Sequence, residues 1–171
     1  MSTRSVRPAE DEADSPELTA VQAALAAEHA AVYGYGVLGG RLDGRQGAEA
    51  RAAHDAHRAR RDALARTARD LGGRPVASNA AYALPFAVPD GPSAVRLAAV
   101  LEDRIAGAYA DLVRATEGAR RKGAAGALRE AAVRSARWRG GNVAFPGLAE
   151  RAGADPAATG PVEAAGADGT R

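Results

Sequence analysis

Three stretches of this chain repeat residues at the alternating three- and four-residue spacing of an amphipathic helix, and each places ionisable groups on the apolar stripe itself. The first runs Leu18, Val21, Leu25, Glu28, Val32, Tyr35, Gly39, Leu42. The second runs Ala50, His54, His57, Arg61, Leu64, Ala68, Leu71, and the third Val95, Ala98, Glu102, Ile105, Tyr109, Leu112, Thr116. Stripes of this kind face the interior of a helical bundle. A charge carried inside without a partner costs several kcal/mol, so Glu28, His54, His57, Arg61 and Glu102 must meet one another, a metal ion or water.

Helix is the expected state throughout the folded part. Of the 46% hydrophobic residues most are alanine, the best helix former, aromatics are 4%, and no alternating strand pattern appears. Ser15 and Pro16 supply an N-cap and a first-turn proline, so helix one is expected from Pro16 to Leu42, with Asp43, Gly44 and Gly47 breaking it. Helix two is expected over Ala48 to Leu71, antiparallel to helix one across a short turn and ended by Gly72 and Gly73. Asp90 or Ser93 caps helix three, which runs to about Thr116. Gly118 and Gly123 bracket the next turn, and helix four covers Ala124 to Arg139 before Gly140 and Gly141.

Between the second and third helices, residues 74 to 92 contain Pro75, Pro85, Pro89, Gly91 and Pro92 and exclude regular helix. Tyr82, Leu84, Phe86 and Val88 let this segment pack along the outside and return the chain to its starting end, making helix three parallel to helix two. Two hairpins joined by one long crossover form the ferritin-like variant of the all-α four-helix bundle. The expected division is a disordered leader over 1–15, the bundle over 16–149 with Phe145, Pro146 and Leu148 sealing its end, and a flexible tail over 150–171.

Zero cysteines exclude disulfides and thiolate chemistry and fit a reducing cytosol. The first residues lack the apolar core of a secretory signal, and Ala23 to Gly40 is too interrupted for a membrane span, so a cytoplasmic protein is expected. Net charge is +2, but the stretch from Arg114 to Arg139 is strongly basic, with only Glu117 and Glu130 to offset its arginines and lysine. No phosphate-binding glycine loop, HExxH zinc motif or nucleophile elbow occurs, which sets aside nucleotide-binding and hydrolase chemistry.

With the first turn centred near Gly44, Glu28 before it and His57 and Arg61 after it stand at similar heights along the two helices, Arg61 being the closer match. Glu28 can therefore reach His57 or Arg61. In one reading Glu28, His54, His57 and Glu102 hold a single iron, manganese or zinc ion, as carboxylate and imidazole on one inward face suit these metals. In the other, Glu28 pairs with Arg61 in a metal-free network, because a fixed guanidinium takes the place of a cation. A two-metal centre needs a Glu-x-x-His from two helices. Helix two offers His54-Asp55-Ala56-His57, and helix four has no histidine. With the second turn near Lys122, Glu102 is level with a point beyond the end of helix four, where Trp138 and Asn142 are nearest. Ferroxidase or di-iron oxygenase chemistry is not expected.

The segments AALAAEHAAVYGYGVLGGRL, HDAHRARRDAL, AAYALPFAV and AAVRSARWRGGNVAFPGL resemble an actinobacterial ferritin-like domain family of unknown function over most of residues 18 to 149. The resemblance implies the bundle and brings no reaction or cofactor. Two further readings stand beside metal binding. One is a structural or homodimeric scaffold, with Gly34, Gly36, Gly39 and Gly40 allowing close helix approach. The other is binding of nucleic acid or an acidic partner through Arg134, Arg137, Trp138 and Arg139, against which stands a solvated face with Trp138 packed inside and no recognised nucleic-acid module.

Overall fold

A computed structural model describes residues 15–140 of the 171-residue chain. The expected leader, the end-sealing Phe145, Pro146 and Leu148, Asn142 and the tail lie outside the described residues, apart from Ser15 itself. Among the described residues the chain is all-helical, with α1 over Pro16–Gly39, α2 over Gly44–Asp70, α3 over Gly91–Ala115 and α4 over Gly118–Arg139. No described helix is long and apolar enough to cross a membrane.

The helix starts follow local chemistry. Ser15 caps α1 by accepting from the Leu18 amide at 3.1 Å. Asp90, rather than Ser93, caps α3, and Ser93 completes a reciprocal capping box. Both interhelical turns are earlier and tighter than the glycine pattern suggests. Gly44 and Gly118 each take φ +54° at the first residue of α2 and α4, a left-handed conformation that a side chain disfavours. The first turn therefore occupies only Gly40 to Asp43 and the second only Thr116 and Glu117. Gly47 and Gly123, expected in turns, lie within helices.

The segment between α2 and α3 travels outside α1, as its apolar residues suggest. Gln22 holds it at the Arg74 carbonyl (2.7 Å) and Val76 amide (2.8 Å), Tyr33 meets Tyr82 with ring centroids 5.6 Å apart, and Arg41 donates to the Val88 carbonyl at 3.2 Å. Leu84, Phe86 and Val88 pack on the buried cluster around Leu38 and Leu97. This path carries the chain from one end of α1 to the other, so α3 descends antiparallel to α1 and parallel to α2.

The packed helix pairs are α1 with α2, α1 with α3, and α3 with α4. The α2–α4 side is an open groove. Two apolar clusters fill the bundle, one around Leu18, Leu25, Leu64 and Leu112 and the other around Tyr35, Leu38, Leu97 and Trp138. Where they meet lie three ionisable side chains with no exposed surface: Glu28, His57 and Glu102.

A repeat underlies this plan. One constant interval along the chain separates Glu28 from Glu102, Tyr35 from Tyr109, Leu38 from Leu112, Gly44 from Gly118, and Arg60 from Arg134. Each hairpin is thus built on the same frame. Because α1 and α3 run antiparallel, equivalent residues face one another reciprocally.

Candidate functional site: a buried ion network

The reciprocity is plainest in the tyrosines. Tyr35 of α1 donates to Glu102 Oε1 of α3 at 2.6 Å, and Tyr109 of α3 donates to Glu28 Oε1 of α1 at 2.8 Å. Trp138 Nε1 of α4 donates in turn to the Tyr35 hydroxyl at 3.1 Å. Burial, followed by the adjoining carboxylate's charge and hydrogen bond, drives both phenols far above their ordinary value and keeps them neutral donors.

His57 breaks the symmetry, since its counterpart in the second hairpin is Ala131. Its Nδ1 lies 2.7 Å from Glu28 Oε2 and its Nε2 lies 3.1 Å from Glu102 Oε1. A neutral imidazole has one N–H, so where both neighbours are ionised carboxylates, which only accept, hydrogen bonds at both nitrogens require the doubly protonated ring. Burial is the largest single influence on its pKa and lowers it. The hydrogen bonds to Glu102 and Glu28 and the charges of both carboxylates outweigh burial together and leave the value raised.

The fourth member is Arg134 of α4, whose Nε donates to Glu102 Oε1 at 2.7 Å. Burial opposes the Glu102 carboxylate, yet the hydrogen bonds from His57 and Arg134 and their charges hold its pKa below the ordinary value. With His57 protonated, two cations balance two buried carboxylates. Glu102 Oε1 accepts from Tyr35, His57 and Arg134, while Oε2 has no partner among the described residues.

The expected site residues are therefore only partly gathered. Glu28, His57 and Glu102 meet. His54 does not join them. It is 3.6 Å from Asp55, its side chain is 30% exposed, and it lines a surface groove with Tyr35, Gly36 and Arg51. Arg61 faces outward and pairs with Asp62 at 2.8 Å, so it is not the partner of Glu28. The buried edge of α2 runs Ala50, Ala53, His57, Leu64, Ala68, slightly rotated from the expected stripe. The earlier turn corrects the heights as well. Centred near Leu42, it puts Glu28 and His57 at one level and Arg61 about one helical turn beyond.

The same correction explains why Arg134 escapes a reading of the sequence. Moving the second turn from Lys122 to Thr116 and Glu117 shifts the level of Glu102 on α4 back from the helix end into the stretch holding Glu130 and Arg134. A usable signal lay in the repeat, which pairs Arg134 with Arg60 just as it pairs the two glutamates. Trp138 is buried, and Arg139 is paired with Asp103. Among the described residues no group of three or more His, Cys, Asp or Glu side chains stands in a metal-holding arrangement.

Residues 20–150 match the family described as Domain of unknown function (DUF4439). The chain is also similar to the crystal structure of a conserved hypothetical protein from Mycobacterium tuberculosis, with 34% sequence identity, a TM-score of 0.70, and coverage of 72% of this chain and 95% of that one. No curated protein matches it.

Proposed function

The chain belongs to the DUF4439 family, and we propose that it is a ferritin-like bundle that works as a metal-independent binding scaffold, with a self-neutralised ion network in the layer where ferritin-like enzymes hold their metal. One observation carries the reading: the two nitrogens of His57 face two different carboxylates, at 2.7 and 3.1 Å. A protonated ring in that position has no lone pair for a metal.

The remaining donors fit an ion no better. Arg134 stands 2.7 Å from Glu102, so a metal there meets a fixed positive charge. His54, the second imidazole of the ligand set considered from sequence, lies outside the cluster. Buried ion networks of this sort add little net stability over an apolar core, but removing one member leaves an uncompensated charge. The network therefore serves to hold the register between the hairpins.

The test uses full-length protein purified without a histidine tag. Elemental analysis should find iron, manganese and zinc well below one per chain, and the melting temperature should be unchanged by these ions or by a chelator. About one ion per chain, with a melting temperature that falls on chelation and no ion in His57→Ala, would replace this reading with a single metal on Glu28, His57 and Glu102.

A further inference from the structure

The repeat that relates the hairpins also places five corresponding residues in each of two recesses along the α2–α4 side. Arg60, Ala63, Leu64, Gly123 and Ala127 line a cavity of about 220 Å³. Their repeat counterparts, Arg134, Arg137, Trp138, Glu49 and Ala53, line one of about 530 Å³. The smaller recess shows that alanine and leucine suffice for the fold at two of these positions. The larger recess has arginine and tryptophan there, and adds Arg129 and Val133 to its wall.

We propose that this larger pocket binds a small organic anion, a carboxylate on a flat apolar body. The charge pattern points to the head group. Both acidic wall residues are already bonded to an arginine, Glu49 to Arg45 at 3.0 Å and Glu130 to Arg60. Among the described residues Arg129 and Arg137 make no ion pair, and Arg134, bonded to Glu102 through Nε and 3.7 Å from Glu130 through Nη1, keeps a buried Nη2 without a partner. A carboxylate meets planar, forked donors in these guanidinium groups. The body is held by apolar wall: Ala52, Ala53, Trp138, and Val133, which is 44% exposed. Pockets of this size with an apolar lining and a few converging charges are typical of small-ligand sites.

The distribution of charge disfavours a polyanion. The basic stretch of residues 114 to 139 is largely engaged within the fold, with Arg114 on Asp111, Arg120 on Glu17, Arg134 on Glu102 and Arg139 on Asp103. Arg121 is held by the Thr116 carbonyl, and exposed Lys122 lies about 10 Å along α4 from Arg129, so the unpaired charge beside this recess is that of Arg129 and Arg137.

Trp138 is the only tryptophan and forms part of the wall, so its indole N–H resonance reports occupancy in the full-length chain. At low ionic strength benzoate should shift that resonance saturably. Benzamide, which lacks the charge, and inorganic phosphate, which lacks the apolar body, should each bind about tenfold more weakly or worse. Both Arg129 and Arg137 are on the pocket's outer wall, so Arg129→Gln/Arg137→Gln should keep the melting temperature while weakening benzoate about tenfold. Equal binding of benzamide or of phosphate, or unchanged benzoate binding in the double variant, overturns the proposal. So does self-association that the double variant abolishes, since a second copy of the chain would then occupy the groove. None of these outcomes depends on whether the core holds a metal.

Discussion

Arg134 Nε lies 2.7 Å from Glu102 Oε1, joining the fourth helix to a carboxylate with no exposed surface. The interaction is charge-assisted and the guanidinium is itself only 17% exposed, so solvent screens it little. Arg134→Leu should therefore destabilise the domain by about 3 kcal/mol, the usual result of stranding a buried charge. Removing both charges, in Glu102→Gln/Arg134→Leu, should cost less than the two single changes summed, by about 1 kcal/mol or more. Urea unfolding of the four proteins measures the coupling.

The network limits stability at both ends of the pH scale. His57 holds its proton more tightly in the folded chain than its ordinary value of 6.5 allows, so its contribution is complete below that pH and is lost as pH rises through the folded pKa. Glu102 is displaced downward from 4.5, so its contribution is complete above that pH and is lost as pH falls through its folded pKa. Stability from this pair should be greatest between about pH 4.5 and 6.5. Denaturant midpoints measured across pH should fall on the alkaline side in the native chain, and that decline should be shallower in His57→Gln.

The two tyrosines are equivalent in the repeat and unequal in their bonds. Tyr109→Phe removes one hydrogen bond to Glu28, at a cost of about 1–2 kcal/mol. Tyr35→Phe removes the bond to Glu102 and also leaves buried Trp138 Nε1 without its acceptor, adding about 1 kcal/mol. Thermal or urea unfolding should rank Tyr35→Phe as the more damaging change.

Of the glycines in α1, one marks a helix contact. A Cβ on Gly34 would stand 2.6 Å from Leu101 Cδ1 of α3, and Leu101 is buried. Gly34→Ala should cost about 1–3 kcal/mol by overpacking the α1–α3 seam. Gly36 is exposed and a Cβ there meets nothing within 4 Å, so Gly36→Ala should raise stability by about 0.5–1 kcal/mol. Opposite shifts in melting temperature check the pair.

Much of the fold is legible residue by residue. Proline at the start of α1, the Asp90 cap and the proline-rich segment before it determine where helices begin and where the chain crosses over. Glu28, His57 and Glu102 are identifiable as inward because apolar neighbours flank them at helical spacing. His54 and Arg61 are not separable from them by spacing alone. A helical period that is not a whole number allows a stripe to step by three or four, and only contact with α1 selects Ala53 over His54 as the buried position. Arg134 sits on a helix whose stripe is mostly alanine, and its level depends on a turn containing fewer residues than its glycines imply.

Helical hairpins with carboxylates and an imidazole turned inward are written in the order of the residues, because burial patterning and end signals act locally. Which cations neutralise those carboxylates depends on how the helices meet in space. Each residue added to or removed from a turn moves a side chain by about 1.5 Å along the axis and about 100° around it. A hydrogen bond tolerates only a few tenths of an ångström. The pairing of Arg134 with Glu102, and the release of His54 and Arg61 to the surface, follow from the length of two turns and the packing of α1 between α2 and α3.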